Sequence, residues 1–121
     1  MNLFSIAFAV VVGSWLAIPN GAWSPAPEQI SELRNSLEPF VKQQALTQHL
    51  QLPKWQNYTF QFQGQVDEGQ KIIFVNAFCI SPPEQAKLQF VGVFDGGPCF
   101  FQVKYNPNKK LFYQLMFNGE A

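Results

Sequence analysis

Residues 79–99, CISPPEQAKLQFVGVFDGGPC, hold both cysteines of this chain, one at each end. The two are a covalent staple, a reactive thiol with its partner, or unrelated core residues, and the choice bears on compartment and chemistry. Within the stretch, Ser81-Pro82-Pro83-Glu84 is a break. Leu88 to Phe94 then reads as a strand, and Asp95-Gly96 as a two-residue turn into a further strand from Cys99 to Tyr105. That register faces Gly92 with Cys99 and Phe90 with Phe101, so that the two apolar sets meet. Cys79 ends the strand before, two spacings of about 4.8 Å from Cys99. A disulfide tolerates a Cα separation of only about 7 Å. A bridge therefore requires Cys79 to leave the ladder, or its strand to lie elsewhere.

Working outward, period-2 alternation marks the flanking segments. Tyr58, Phe60, Phe62 and Val66 alternate with Asn57, Thr59, Gln61, Gln63 and Gln65, the pattern of a half-buried strand. Asp67-Glu68-Gly69 is a hairpin turn, and Lys71 to Ile80 a second strand, apolar on both faces. Asn106-Pro107-Asn108 leads into a last strand, Leu111–Phe117, whose core face reads Leu111, Tyr113, Leu115 and Phe117. Upstream the period is 3.6: Ile30, Leu33, Leu37 and Val41 form one stripe with Phe40 beside it, and Glu28 and Glu32 lie in the first turns. Pro39 predicts a kink or a restart there, and Pro53 an end to the segment. The expectation is an α+β domain: a kinked N-terminal helix packed on an antiparallel meander of four to five strands, a cystatin-like architecture.

Leu3 to Ile18 is nearly all apolar and is followed by Pro19-Asn20-Gly21-Ala22, the order of a secretory signal peptide. It falls short of the ~20 apolar residues of a comfortable membrane span. The reading is a leader over 1–22, cut after Ala22, and a single domain over 23–121. An uncleaved anchor or a buried N-terminal helix are the alternatives, and a membrane is a partner only if the segment is retained. No Lys or Arg precedes Arg34, and Asn20 is a poor residue three places before a cut. Export favours the disulfide Cys79–Cys99, and closing a loop of this size contributes ~3 kcal/mol.

The chain has 121 residues, 13% of them charged, with eight basic and eight acidic side chains. No cluster of basic residues offers the footprint that nucleic acid requires, so nucleic acid is excluded as a partner. The single histidine, His49, is tied to neither cysteine, and Asp67 and Asp95 both fall in turns. No metal-ligand set, phosphate loop or nucleophile elbow is present in the sequence, and no catalytic residue, metal or cofactor is expected. Val91, Val93, Phe100, Phe112 and Met116 fall opposite the assigned core. Apolar residues there imply a cover, a partner, or a wrong assignment of faces. They are the candidate interaction face, either for an unknown protein or for a second copy of the chain pairing along the last strand.

Helix plus meander is similar in architecture to the cystatins, which carry a Gln-x-Val-x-Gly wedge on the first hairpin. Here Gln61-Phe62-Gln63-Gly64-Gln65 places Gln at the centre and Gly one position early, so the activity is not carried over. The C-terminal stretch GGPCFFQVKYNPNKKLFYQLMFNGEA resembles small exported bacterial proteins ending in Asn-Gly-Glu-Ala. That resemblance implies compartment and fold, and no activity. The expected function is a non-enzymatic binding or structural module of the bacterial periplasm or envelope. The alternatives are a protease-inhibitor-like binder of cystatin-like shape and, last, a thiol-dependent or hydrolytic enzyme.

Overall fold

The computed structural model describes residues 14–92 and 95–119. One helix, α1 (Pro27–Thr47), lies on a five-stranded sheet of order β1-β2-β3-β4-β5. The strands are β1 (Ser14–Ala17), β2 (Thr59–Asp67), β3 (Gln70–Phe78), β4 (Phe100–Asn106) and β5 (Leu111–Phe117). All neighbours pair antiparallel except β1 with β2, which run parallel. The α+β class is as the sequence indicates, with a short parallel edge strand added before the helix.

Pro27 opens α1, where its missing N–H costs nothing, and the Gln29 side chain accepts from the Ala26 N–H at 2.8 Å. Leu33, Leu37, Val41 and Ala45 form the buried stripe. The helix continues through Pro39 as one element. Pro39 and Asn35, whose carbonyl loses its partner, are both exposed, so water can satisfy that carbonyl. Opposite the stripe lie Phe60, Ile73, Val75, Ala77, Phe101, Val103 and Tyr105, a layer drawn from three strands. Rings interlock within it: Phe101 meets Tyr58 edge-on at 5.2 Å, and Phe40 of the helix stacks on Phe112 at 4.8 Å.

The β2–β3 hairpin turns on Glu68 and Gly69, both at positive φ (50° and 78°), with Asp67 paired to Gln70. That is the two-residue turn whose twist suits adjacent strands. β3 pairs directly with β4, Phe78 opposite Phe100. The described part of the expected strand Leu88–Phe94, residues 88–92, is therefore not in the sheet. It is coil after a short 3-10 turn, Glu84–Lys87. With no strand between them, Cys79 and Cys99 flank one pair of neighbouring strands, their Cα atoms 5.1 Å apart, and are bridged. Of the two conditions the sequence set for a bridge, the second is met: the strand that Cys79 follows lies directly beside β4.

The outward face of the sheet is covered in part by the loop the bridge closes. Phe78, Phe100 and Ala86 bury one another there, with Val91 and Leu16 packed alongside. Phe90 meets Phe74 edge-on at 5.1 Å. This cover explains why β3 is apolar on both sides. A polar cluster pins the loop. Gln61, fully buried, donates to the carbonyls of Ala86 and Gln89, each at 2.8 Å. Its Oε1 accepts from the Asn76 amide at 2.8 Å and the Val91 N–H at 2.9 Å. Asn76 donates also to the Val91 carbonyl at 2.7 Å and accepts from Gln102 at 3.2 Å. The Tyr58 hydroxyl donates to the Pro98 carbonyl, and burial pushes its pKa well above the usual phenol value. Among the described residues no buried side-chain polar atom lacks a partner.

β5 departs from simple alternation. Gln114 takes φ 53°, and the pairing with β4 shifts between Gln102 and Lys104. This bulge reverses the parity of the strand. Phe112, Leu115 and Phe117 pack on the helix side. Leu111, Tyr113 and Met116 share the other side with Asn106, Lys104 and Gln102. The expected core face of β5 was correct for Leu115 and Phe117 and reversed for Leu111 and Tyr113.

Candidate binding cleft

The candidate interaction residues do not lie on one surface. Phe100 is buried beneath the loop, and Phe112 lies on the helix side, stacked on Phe40 and tilted against Tyr105. Val91 is half-buried in the loop, held by both backbone groups. Met116 is exposed on the outer face, and Val93 lies outside the described residues. The reason is physical: the loop takes one end of that face, and the bulge at Gln114 turns Phe112 inward. The free edge of β5 carries the same bulge, a feature that makes an edge a poor template for another chain.

A cleft forms instead at the opposite edge, from residues the leader reading had set aside. Trp15 of β1 stacks on Phe60 at 4.6 Å, and the Ile18 N–H donates to the Phe62 carbonyl at 2.9 Å. The chain then swings out through Pro19, Asn20 (φ 68°) and Gly21. It returns at Ala22, whose N–H donates to the Gly64 carbonyl at 2.9 Å, and Trp23 forms an antiparallel bridge to Gly64. A Cβ on Gly64 would stand 2.2 Å from the Trp23 carbonyl oxygen, so only glycine permits this approach. The Trp23 indole N–H lies 2.8 Å from the Gln65 carbonyl and 3.1 Å from that of Ile72, and Lys71 sits over its ring at 5.5 Å. The Gln63 amide donates to the Pro19 carbonyl at 2.8 Å.

Between this strap and the first half of α1 is an open cleft of about 780 Å³. Ile18, Trp23, Pro25, Ile30 and Phe62 supply apolar walls, and Ser31, Arg34 and Asn35 line the helix side. Arg34 is half-buried, its guanidinium 5.6 Å from the centre of the Trp15 ring. Among the described residues it has no carboxylate partner, a state it shares with Lys54, Lys71, Lys87 and Lys109, but of these five only Arg34 lines the cleft. A guanidinium within cation–π reach of an indole spends no hydrogen-bond donor on that contact, which leaves its donors for a planar anion.

A second polar group lies across the sheet. The Tyr113 hydroxyl donates to Asp67 at 2.6 Å, and Lys104 reaches the same carboxylate at 3.2 Å. Burial first, and the bond to Asp67 second, push Tyr113 up to about 12, while that bond and Lys104 hold Asp67 below the usual carboxylate range. Each group answers another within the triad, so it closes the end of the sheet as a structural clasp.

The disulfide is compatible with an extracytoplasmic protein, and no helix among the described residues is long and apolar enough to cross a membrane. Both cysteine sulfurs are in the bridge, so neither is a thiolate in this structure. The cleft was missed from sequence because Ile18 to Ala22 read as the end of a leader. Two signals in that region pointed to it: tryptophans on either side of Pro19-Asn20-Gly21, and Gly64 breaking an otherwise unbroken strand pattern. Comparison with protein-family models, curated proteins and solved structures returned no match.

Proposed function

We propose that this protein is a non-enzymatic binding module of the bacterial periplasm or envelope, and that the cleft between the strap and α1 is where it binds. The reading rests on one observation above the others. Arg34 stands at the cleft wall, half-buried and within cation–π reach of Trp15, with no acidic partner among the described residues. A cation in that setting, beside apolar walls from Ile18, Trp23 and Phe62, suits a compact ligand with an aromatic or aliphatic body and a carboxylate head. The rigid sheet holds one wall, and the disulfide-closed loop on the other face helps to hold the sheet. A binding function needs no more than this preformed concavity and a fixed charge.

Small aromatic and aliphatic carboxylates test the reading when each is paired with its neutral primary amide. Trp23 lines the site and Trp15 lies beside Arg34, so intrinsic fluorescence reports occupancy. The acid should bind at least ~10-fold more tightly than its amide, as a charge-assisted hydrogen bond implies, and Arg34→Gln should abolish that preference. Equal binding of acid and amide, or no binding by any member of the set, overturns the reading.

A further inference from the structure

We infer that the carboxylate taken by Arg34 is the C-terminus of an extended polypeptide, whose preceding residues add a strand to the free edge of β1. The inference rests on the carboxylate reading of the cleft and names the class of ligand. β1 is the outermost strand of the sheet, and among the described residues no strand pairs with its far side. In a parallel ladder, alternate residues turn both backbone groups toward the same neighbour. The Ile18 N–H donates to the Phe62 carbonyl, so Leu16 also faces β2, while Trp15 and Ala17 turn their N–H and C=O groups outward. The other edge of the sheet is bulged at Gln114, whereas β1 pairs in one register from Ser14 to Ala17. That makes β1 the regular template of the two.

This edge joins two concavities. At one end is the cleft, which Ala17 itself lines. At the other, Ser14 pairs with Thr59, just beyond the 3-10 turn Trp55–Asn57. Trp55 lines a second hollow of about 670 Å³, walled by Glu38, Lys42 and Leu46 of α1. Trp15 and Trp55 both pack on Phe60, at 4.6 and 5.2 Å, so aromatic rings run beneath the path from one hollow to the other. The helix side is shared as well: Ile30 and Arg34 at the cleft and Glu38 and Lys42 at the hollow follow one another at intervals of one turn. Two hollows joined by an unpaired strand edge fit an extended chain. Trp15 and Ala17 supply its main-chain bonds, Arg34 takes both oxygens of the terminal carboxylate, and Ile18, Trp23 and Phe62 surround the last side chain. With its C-terminus in the cleft, the added strand runs parallel to β1.

Three probes titrated against the unaltered protein, with tryptophan fluorescence as the readout, test this. They are an N-acetylated pentapeptide of alternating threonine and valine that ends in phenylalanine, its C-terminal primary amide, and N-acetyl-phenylalanine. The pentapeptide acid should bind at least ~10-fold more tightly than N-acetyl-phenylalanine, through its main-chain bonds, and at least ~10-fold more tightly than its amide. Replacing its backbone amides by esters removes one N–H at a time. Binding should weaken about 5-fold at alternate positions, where the N–H meets β1, and change little at those between. If N-acetyl-phenylalanine binds as tightly as the pentapeptide or more so, the added strand is overturned and the cleft reading stands. Equal binding of the pentapeptide acid and amide overturns the inference, as does a uniform response to the esters. Failure of N-acetyl-phenylalanine and the pentapeptide alike overturns the inference and the cleft reading together.

Discussion

The two faces of the sheet are covered by different physical means. On the inner face a 21-residue helix lays four buried side chains against interlocked aromatic and aliphatic residues, and burial alone suffices to hold it. On the outer face the cover is a loop with little regular structure. Its few apolar anchors, Ala86, Val91 and Phe90, are supplemented by a disulfide and by the side-chain amides of Gln61 and Asn76. A helix satisfies its own backbone, so it can be applied to a sheet through side chains. A loop cannot, and must be given partners for its N–H and C=O groups before it can be buried. The outer face therefore carries polar residues in its interior where the inner face has none of comparable burial.

The sharpest way to break this comparison is to remove apolar contact from the inner face. Phe101 is fully buried and meets Trp55, Tyr58, Phe60 and Phe117. Phe101→Ala should cost about 3–5 kcal/mol, read as a lower denaturation midpoint with an unchanged slope. A loss under ~1 kcal/mol would mean that the helix face does not carry the stability assigned to it.

A smaller effect is expected from opening the outer cover. The paired substitution Cys79→Ser and Cys99→Ser should cost ~3 kcal/mol, since the closed loop is of moderate length. Hydrogen exchange sharpens the contrast. Amides held by the loop's anchors, such as that of Val91, should lose protection, while Leu33 and Leu37 in α1 keep theirs in proportion to global stability. Uniform loss throughout the chain would show that the two covers melt as one.

The smallest effect belongs to the polar pin. Gln61→Leu leaves the Val91 N–H, the Ala86 and Gln89 carbonyls and one Asn76 donor without their partner, at a cost of ~1–3 kcal/mol. Asn76 keeps its bond to the Val91 carbonyl, and the disulfide still closes the loop, so the fold should persist with a looser cover. A stabilised variant would mean that the amide cluster serves specificity of loop position rather than stability.

Local patterns were legible where one rule acted alone. The stripe Leu33, Leu37, Val41 identified α1 and its buried side, and the Glu68-Gly69 turn placed the first hairpin. The Cys79–Cys99 bridge was favoured by the expected compartment, and apolar residues opposite the assigned core, Val91 and Phe100 among them, allowed for a second cover. Three features were not. Leu88–Phe94 alternates well enough to be a strand, and only the bridge, by drawing β3 and β4 together, leaves it no place in the sheet. β5 alternates on paper, but a single residue in left-handed conformation at Gln114 reverses which residues face the helix. Ser14–Ala17 has four residues and no turn of its own, so the apolar run before it masked it.

By itself, then, the sequence determined the elements whose hydrophobic period or turn chemistry is local: one helix, the first hairpin, and the strands β4 and β5. Tertiary structure alone decided which strands are neighbours, where the parity of β5 changes, and that Ser14 to Trp23 returns to close the edge of β2. The physical reason is range. Periodicity and turn preference report what a residue's own neighbours require. The choice between strand and covering loop for residues 79–99 turns on hydrogen-bond partners as far away as Gln61, and those exist only once the sheet has formed.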